Sequence, residues 1–398
     1  MPPPSLPLAG LLVADLSRVV AGPNVAMVLA DLGADVVKVE RLGTGDDTRS
    51  WGPPWVDDPG DPSGRVSTYY LGVNRGKRSI ALDLGDAGDA ALARTLIGRS
   101  DVLVENFVPG TLERFGLGVD GLRAEFPSLV ACTILGFGDT DEAAAMPGYD
   151  LLAQAAGGLM SVTGPPDGPP TKVGVAVVDV LASLYATVGV LAALEARHRS
   201  GVGDHVKVSL FDSVLAALLN QASAHLLAGV VPGRMGNDHP SITPYSTSAA
   251  ADRHFVLACG NDTQFAKAAG VGGAPELATD ERFATNAARV AHRDELRAEL
   301  ESRLAAEPAS EWTRRFTAAG VPAGPVNDIA EAFELGRRLG LDPVTVTRRA
   351  DDSEVPTVRS PIRLASADSS TSSVPTPMAP PRLGEHDDEL RRWLSDDR

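Results

Sequence analysis

The chain has 398 residues, enough to bury a large core and to form two or three domains. Its composition, with 43% hydrophobic and 22% charged residues, is that of a globular protein and excludes a chain that is disordered throughout. The 36 basic and 52 acidic residues give a formal net charge of −16, so no nucleic-acid partner is expected. Binding of an anionic ligand would require a local cluster of lysine and arginine.

The cysteines and the N-terminus indicate a cytoplasmic protein. Cys132 and Cys259 are the only cysteines, and their separation excludes a disulfide framework and a cysteine-rich metal site. The first residues, MPPPSLPLAG, lack the basic and apolar regions of a signal peptide. The histidines are scattered, so we expect no bound metal.

The first third of the chain alternates short apolar runs with helical stretches. The runs are rich in Val, Ile and Leu without clean alternation, which is typical of strands covered on both faces. They are predicted as strands at Leu11–Leu16, Ala34–Glu40, Ser79–Leu84, Asp101–Phe107 and Leu129–Leu135. Between the first two, Pro23–Leu32 has proline at a helix start and Gly33 just past its end. This rhythm predicts an α/β fold with a doubly wound, largely parallel, Rossmann-like sheet.

One glycine motif in this region is misleading. Gly116–Gly121 (GLGVDG) fits the G-x-G-x-x-G pattern of dinucleotide-binding loops. That pattern needs a strand directly before it, whereas Thr111–Arg114 reads as a polar helix. The sequence therefore argues against a nucleotide site there.

A long apolar run, Ala176–Leu194, is close to membrane-spanning length but contains Asp179. A central aspartate costs roughly 2.5–3.5 kcal/mol on membrane insertion, which favours a helix buried in the protein core over a membrane span. An aspartate in such surroundings is poorly solvated. It is either neutralised by a structural partner or kept reactive for chemistry.

The remaining chain predicts a second domain. The region from Tyr149 to about Ala228 reads as mainly helical, interrupted by GPPDGPP (Gly164–Pro170) and the strand-like Asp204–Val208. Polar turns then lead into the apolar run His254–Cys259 and amphipathic helices around Glu295–Leu304 and Ser310–Ala319. We expect a large domain over residues 1–210, a helical linker over 211–235, a smaller α+β domain over 236–325, and a linker and C-terminal segment over 326–398. The tail from Ala365 to Pro381 should be an extended loop, followed by a terminal helix within Leu383–Leu394.

Basic residues recur beside the ends of predicted strands. They are Arg18, Arg41, Arg75, Lys77, Arg78 and Arg114. Because ligands of open α/β sheets bind outside the carboxyl ends of strands, this recurrence favours a phosphorylated ligand over solvated surface charge.

The whole chain resembles the class III CoA-transferases, a family that includes formyl-CoA, carnitine and dicarboxylate CoA-transferases. The matching stretches are LSRVVAGPNVAMVLADLGADVVKVERLGTGDDTR, NRGKRSIALDL, DVLVENFVPGTLERFGLG, GYDLLAQAAGGLMSVTG, GPPTKVGVAVVDVLASLYATVGVLAALEARHRSG, GNDHPSITPY, AGVPAGPVNDI and LGEHDDEL. So many matches in the same order are highly specific.

This resemblance implies that the aspartate of VGVAVVDV, Asp179, is a nucleophile that forms a covalent intermediate with CoA thioesters as substrates and without a permanently bound cofactor. It also implies CoA contacts at Arg18, Val19, Val20, Arg41, Leu82, Asp83, Leu84, Asn106, Phe107, Val108, Arg114, Tyr149 and Asp150. The family often has a basic residue before the GYD motif, where this chain has Met146 and Pro147, which weakens one expected contact. The family further implies an interlocked homodimer and a C-terminal segment, over 326–398, that returns to the large domain. No membrane partner is expected, because Asp179 disfavours a membrane span.

Three questions stay open at the level of sequence. The branch resemblance, on GPPTKVGVAVVD and MGNDHPSITPY, implies succinyl-CoA as donor and a dicarboxylate as acceptor, whose second carboxylate Lys172 or Arg234 would bind. Backbone N–H groups near Gly136–Gly138 or Gly157–Gly158 would stabilise the oxyanion. The alternatives are a 2-methylacyl-CoA racemase of the same superfamily and a non-catalytic CoA-binding protein. The racemase needs a histidine where this chain has Tyr149, and a phenol that ordinarily ionises near pH ~10 is a poor base.

Overall fold

The computed structural model describes residues 6–61, 63–364 and 377–396. The predicted tail loop therefore lies outside the described residues up to position 376. The chain forms two compact units. The larger unit comprises the chain up to Leu159, Val173–Gly229 and the part from Asp342 onward, and the smaller unit comprises Met160–Lys172 and Val230–Leu341.

The strands are β1 (Leu12–Asp15), β2 (Asp35–Arg41), β3 (Trp55–Asp57), β4 (Arg65–Ser67), β5 (Lys77–Leu82), β6 (Val102–Glu105), β7 (Val130–Leu135), β8 (His205–Ser209), β9 (Tyr245–Ala249), β10 (His254–Ala258), β11 (Ala323–Pro325), β12 (Val344–Arg348) and β13 (Glu354–Val358).

The α-helices are α1 (Ala21–Asp31), α2 (Thr68–Val73), α3 (Ala87–Arg99), α4 (Thr111–Arg114), α5 (Val119–Glu125), α6 (Asp141–Ala144), α7 (Asp150–Ala156), α8 (Leu159–Val162), α9 (Val177–Ser200), α10 (Leu210–Ala217), α11 (Leu219–Ala228), α12 (Asp262–Val271), α13 (Asn286–Ala291), α14 (Arg293–Leu304), α15 (Ala309–Ala318), α16 (Ile329–Arg338) and α17 (Asp387–Ser395).

The larger unit is built on a parallel sheet of six strands in the order β5-β2-β1-β6-β7-β8. Each neighbouring pair runs parallel, as the uninterrupted apolar runs predict. The predicted strands are confirmed, with ends displaced by no more than two residues. From β1 the chain continues to β2 and β5 on one side and then crosses to β6 on the other side of β1, so the sheet has a topological switch point between the carboxyl ends of β1 and β6.

Two apolar layers cover this sheet. On one face, side chains such as Val36, Val104 and Cys132 pack against α1, α9 and α10. On the other face, Val37 and Leu103 belong to a second cluster with α3, α5 and the C-terminal helix α17. Neighbouring residues of one strand thus enter different cores, which explains why these strands lack hydrophobic alternation. The glycine motif at Gly116–Gly121 follows helix α4 and not a strand, as predicted.

Helix α9 carries the long apolar run and Asp179. The helix is long enough and apolar enough to cross a membrane, and 44% of its apolar stretch is buried in the protein. Its buried face includes Asp179, Ser183 and Thr187 beside Ala182 and Val190 and packs in the larger core. Val180, Leu184 and Val188 on the other side are 39%, 48% and 66% exposed. The prediction of a helix buried in the protein core is therefore confirmed for the face that packs against α1, α10 and the sheet, and the opposite face is uncovered in the single chain.

The smaller unit has its own core. The antiparallel sheet β11-β10-β9 places Phe255 and Leu257 against helices that contribute Phe265, Trp312 and Phe316. The predicted apolar strand and the two amphipathic helices are confirmed as β10, α14 and α15. The mixture of helices and an antiparallel sheet is an α+β arrangement.

Candidate active site

A cavity of about 360 Å³ opens at the carboxyl end of the parallel sheet, beside the switch point. Its wall is formed by residues that follow β1, β6, β7 and β8, together with the first turn of α9. The predicted site residues that line it are Arg18, Val19, Val20, Asn106, Phe107, Val108, Tyr149, Asp150 and Asp179. A crevice outside the carboxyl ends of the strands is where open α/β sheets bind ligands.

Asp179 lies in the first turn of α9, and the residue is only 9% exposed. Burial, followed by the negative charge of Asp150, raises the pKa of its carboxyl to about 7. Among residues 6–61, 63–364 and 377–396, none donates a hydrogen bond to this carboxylate. Such a carboxylate is weakly solvated and lacks a stabilising partner, which is the environment in which reactive carboxylates are found.

Asp150 holds the turn that carries Asp179. Its Oδ1 accepts a hydrogen bond of 2.8 Å from the backbone N–H of Val178. Its Oδ2 accepts one of 2.6 Å from Nε2 of Gln154, whose Oε1 accepts the N–H of Val173 at 2.9 Å. The aspartate of the GYD motif thus accepts a hydrogen bond from one of the N–H groups at the start of α9 that have no partner within the helix.

Two glycines bring the GYD segment to the sheet. Gly136 follows β7 and Gly148 precedes Tyr149, and both line the cavity. A Cβ placed on Gly136 would lie 2.5 Å from Cα of Gly148, and a Cβ on Gly148 would lie 2.6 Å from Cα of Gly136. Only two glycines allow these backbones to approach so closely, and this approach brings Asp150 to the start of α9.

The loops after β1 and β6 are joined across the switch point. The backbone N–H of Arg18 donates to Oδ1 of Asn106, and Nδ2 of Asn106 donates to the carbonyl of Arg18, both at 2.8 Å. The guanidinium of Arg18 lies 5.3 Å from the ring centroid of Phe107 and pairs with Asp47 at 3.2 Å. Arg18 is the only lysine or arginine among the described residues that line the cavity, and its buried Nε has no hydrogen-bond partner there.

The other predicted CoA contacts do not line this cavity. They are Arg41, Leu82, Asp83, Leu84 and Arg114. Arg41 and Leu82 are paired in register at the ends of β2 and β5, on the opposite side of β1 from β6. The side chain of Leu82 is buried in the core, so its contact with a ligand would have to come from the backbone. Arg114 is exposed, and its guanidinium donates to Thr111 at 3.3 Å.

One aromatic side chain near Asp179 escaped the sequence analysis. Tyr69 lies in the first turn of α2, and burial, followed by the charges of Asp179 and Asp150, raises the pKa of its phenol. Its ring packs edge to face against Trp51, with centroids 5.4 Å apart. The segment STYY gave no sign of this proximity, because the proximity depends on how the chain between β2 and α2 folds back.

Tyr149 occupies the wall position that a racemase histidine would require. It is 61% exposed, lines the cavity and immediately precedes α7. No histidine is present among the described residues of the cavity wall. The cavity wall therefore carries the phenol of Tyr149 at the sequence position where the family resemblance implies a racemase histidine.

Comparison with known proteins gives a consistent picture. The family model for CoA-transferase family III matches residues 8–387. The succinate–glutarate CoA-transferase of Agrobacterium fabrum is 41% identical over 97% of this chain and 95% of its own length. The acetyl-CoA:oxalate CoA-transferase of Acetobacter aceti is 44% identical over 83% of this chain and 84% of its own.

The crystal structure of a CAIB/BAIF family protein from Brucella suis superposes with a TM-score of 0.87 at 42% identity. It covers 98% of this chain and 100% of that protein. A match of family model, sequence and fold over nearly the whole length cannot arise from the fold alone. The chain belongs to CoA-transferase family III and is a CoA-transferase.

Proposed function

We propose that this enzyme transfers CoA from succinyl-CoA to a small dicarboxylic acid, with Asp179 as the nucleophile. The observation that carries the proposal is the isolated carboxylate of Asp179 in the cavity at the sheet switch point, with a pKa raised to about 7 by burial and by Asp150. Perturbed carboxyls in ligand cavities are the groups expected to carry catalysis.

The first half of the reaction charges the enzyme. A carboxylate oxygen of Asp179 attacks the thioester carbon of the donor, the C–S bond breaks, and CoA leaves as a thiolate. The product is a mixed anhydride between the donor acid and Asp179. The thiolate then attacks Cγ of Asp179, and the C–O bond breaks. The donor acid departs as a carboxylate, and Asp179 now carries CoA as a thioester.

The second half reverses these steps with the acceptor. A carboxylate of the acceptor attacks Cγ of Asp179, and the C–S bond breaks. The thiolate is released, and a second mixed anhydride forms between the acceptor and Asp179. Attack of the thiolate on the acceptor carbonyl gives the new acyl-CoA and regenerates the Asp179 carboxylate. No oxidant or net proton is consumed, so the donor acyl-CoA and the acceptor acid suffice for the complete cycle.

Each tetrahedral intermediate needs hydrogen-bond donors at its oxyanion, and one such donor contributes about 2.7–4 kcal/mol in other enzymes. Of the two glycine segments suggested by the sequence, Gly136 and Gly138 line the cavity beside Asp179. The N–H of Gly157 instead donates to the carbonyl of Ala153 at 2.8 Å. These observations favour the backbone after β7 as the source of oxyanion donors.

The names of the relatives support a dicarboxylate acceptor. One relative is named for succinate and glutarate and the other for oxalate, which are all dicarboxylic acids. Succinyl-CoA as donor agrees with the first name, whereas the second relative is named for acetyl-CoA. The acceptor class therefore has broader support than the donor.

We further expect an interlocked cytoplasmic homodimer without a membrane or nucleic-acid partner or a permanently bound cofactor. The apolar side chains of Val188 on α9 and of Leu226 and Leu227 on α11 are 66%, 78% and 87% exposed in the single chain. Apolar surface of this kind is characteristic of subunit interfaces and supports the dimer.

The test is to incubate the enzyme with succinyl-CoA alone and to measure its intact mass. A covalent CoA adduct should appear, hydroxylamine should release it, and peptide mapping should locate it on Asp179. Asp179→Asn and Asp179→Ala should form no adduct and should lose transfer, while both still bind CoA. An adduct on another residue, or at least a tenth of wild-type turnover in Asp179→Ala, would contradict the mechanism.

A further inference from the structure

The loop after β1 contains a strained residue in the cavity wall. Val19 has φ of 70°, in the left-handed region that β-branched side chains rarely adopt. It lines the cavity between Arg18 and Val20. Strain of this kind persists only where the surrounding structure imposes it, and it is concentrated at functional sites.

Asp46 imposes this conformation. The backbone N–H of Val19 lies 3.3 Å from both carboxylate oxygens of Asp46. The same carboxylate pairs with Nζ of Lys38 at 3.0 Å, and that ammonium also donates to the carbonyl of Ser17 at 2.8 Å. One ion pair thus holds the loop on both sides of Arg18.

The ion pair is itself rigidly held. Asp46 is 2% exposed, and its Oδ1 accepts hydrogen bonds from the N–H and Oγ1 of Thr48 at 2.9 and 2.7 Å. Its own N–H donates to Oε2 of Glu40 at 3.0 Å. Asp46 and Lys38 are absent from the cavity wall, so they can influence a ligand only through the loop that they hold.

A buried ion pair by itself is weak evidence for stabilisation, because the loss of hydration can equal the attraction between the charges. A purely structural pair would not need to contact a strained peptide in a ligand cavity. The contacts from this pair converge on Ser17 and Val19, which flank the residue that joins the loops of β1 and β6. Their location indicates a role in shaping the site.

We propose that Asp46, paired with Lys38, is a positioning residue that keeps Val19 in the left-handed conformation and thereby forms the cavity wall that binds acyl-CoA. This inference rests on the proposed function, because it assumes that CoA occupies this cavity. Without the carboxylate, Val19 should relax to negative φ, and its peptide group should turn away from its present position.

The test is a double-mutant cycle with Asp46→Asn and Val19→Gly. Glycine adopts positive φ without strain, so the loop should keep its shape in the Val19→Gly background even without the Asp46 charge. We expect Asp46→Asn alone to raise the Kd for CoA and the KM for succinyl-CoA roughly tenfold, with a smaller change in kcat. In the Val19→Gly background the same substitution should raise both values less than about threefold.

Two further variants keep the test decisive. Thr48→Val removes one hydrogen bond to Asp46 while leaving its charge, and should raise KM about two- to threefold, again only when residue 19 is valine. Asp31→Asn breaks another buried ion pair, which Asp31 forms with Arg75. Both side chains are 5% exposed, and both lie outside the cavity. This variant should lower thermal stability and leave the Kd for CoA and KM unchanged.

Equal penalties from Asp46→Asn in the valine and glycine backgrounds, or an unchanged Kd for CoA, would overturn the positioning role. If Asp46→Asn does not fold, the Thr48→Val cycle gives the answer by the same comparison. A wild-type enzyme that binds CoA without transferring it would remove the proposed function, whereas the CoA-binding cycle would still decide the role of Asp46.

Discussion

The charge of Asp150 opposes the ionisation of Asp179: burial and then this neighbouring carboxylate raise the pKa of Asp179 to about 7. The same Asp150 holds the start of the helix that presents Asp179. In the proposed mechanism, Asp150 therefore holds the turn that carries the nucleophile and adds to the effect of burial on its pKa. Tyr69 is the other ionisable group that interacts electrostatically with Asp179.

The first prediction concerns pH. Because only the ionised form of Asp179 can attack a thioester, kcat/KM should rise with pH and level off above the pKa of about 7. Asp150→Asn removes a negative charge but keeps an oxygen that can accept the N–H of Val178, so the rising limb should move to lower pH. Asp47→Asn removes another carboxylate of the cavity wall and should leave the midpoint of that limb in place. An unmoved limb in Asp150→Asn would refute the coupling.

The second prediction concerns stability. A carboxyl whose pKa is raised from 3.8 to about 7 on folding binds more protons in the folded state than in the unfolded state over that range. Stability therefore falls as pH rises through that range, and the full cost is present above pH 7. Asp179→Asn removes this cost, so its stability relative to wild type should increase by about 2–3 kcal/mol between pH 5 and pH 8. Thermal midpoints of the two proteins at both pH values provide the measurement.

Asp46→Asn is the control of opposite sign. Burial raises the pKa of Asp46, but Lys38 and the hydrogen bonds from Thr48 outweigh burial and lower that pKa to about 2. Its ionised form stabilises the protein above the unfolded pKa of 3.8, and this contribution is lost as pH falls towards 2. Asp46→Asn should therefore be less stable than wild type at pH 8, whereas Asp179→Asn should be more stable. The same sign for both variants would show that the pKa shift of Asp179 is misassigned.

The third prediction tests the glycine contact. Alanine at Gly148 would place its Cβ 2.6 Å from Cα of Gly136, so the GYD segment must move away from β7. That movement displaces Asp150 and with it the start of α9, and we expect Gly148→Ala to lower kcat at least about tenfold, since small misplacements near a reacting group are costly. Gly121→Ala, in helix α5 with no atom within 4 Å of the added Cβ, should leave activity unchanged. Wild-type kcat in Gly148→Ala would show that the contact is not required.

The difference between what the sequence predicted and what it did not has a physical cause. Continuous apolar runs identified the strands, because a strand covered on both faces has apolar side chains at consecutive positions. The lone aspartate in the long apolar run marked Asp179 as either structural or reactive, and only the family resemblance implied the role of nucleophile. The sequence alone did not distinguish among the residues that follow strands as candidates for ligand contacts. The strand order then placed the ends of β2 and β5, with Arg41 and Leu82, on the opposite side of β1 from the cavity wall at β6, β7 and β8.

Other parts of the site depend on contacts between segments far apart in sequence. The approach of Gly136 to Gly148, the strained φ of Val19 and the proximity of Tyr69 to Asp179 are properties of packed loops. No periodicity or composition encodes them, because each arises from the way two loops cross. The resemblance to a known family gave Tyr149 and Asp150 as residues, but only the structure gives Asp150 its hydrogen bond to Val178.

The fourth prediction separates transfer from racemisation. Tyr149 lines the cavity wall at the sequence position where the family resemblance implies a histidine in the racemase, and the described residues of that wall include no histidine. The enzyme should therefore not exchange the proton beside the carbonyl of 2-methylacyl-CoA in deuterated water, as followed by mass spectrometry. Tyr149→His provides a matched variant that introduces an imidazole at this position. Rapid deuterium incorporation by the wild-type enzyme would overturn the assignment as a transferase.

The last prediction concerns the acceptor. With succinyl-CoA as donor, glutarate, malate or itaconate should give a higher kcat/KM than acetate, formate or carnitine. A dicarboxylate can present one carboxylate to Asp179 while the other pairs with a fixed cation, and leaving that cation unpaired should cost about 1–3 kcal/mol, or roughly tenfold in rate. Of the cations considered, Arg234 already donates to the carbonyls of Pro165 and Gly168 at 3.2 and 2.9 Å. Arg18 instead lines the cavity with a buried Nε that lacks a partner among the described residues.

Comparison of Arg18→Gln with Arg234→Gln identifies the cation. If Arg18 pairs with the distal carboxylate, Arg18→Gln should reduce the ratio of kcat/KM for glutarate to that for acetate by roughly tenfold, because only the dicarboxylate loses a partner. A contact of Arg18 with CoA alone would lower both values by the same factor and leave their ratio unchanged. Arg234→Gln should leave the ratio near that of wild type. A changed ratio in this variant would instead assign the pairing with the distal carboxylate to Arg234. A wild-type preference for acetate or formate would leave the family assignment intact and remove the dicarboxylate acceptor, since the ratio of kcat/KM values directly measures discrimination between competing acids.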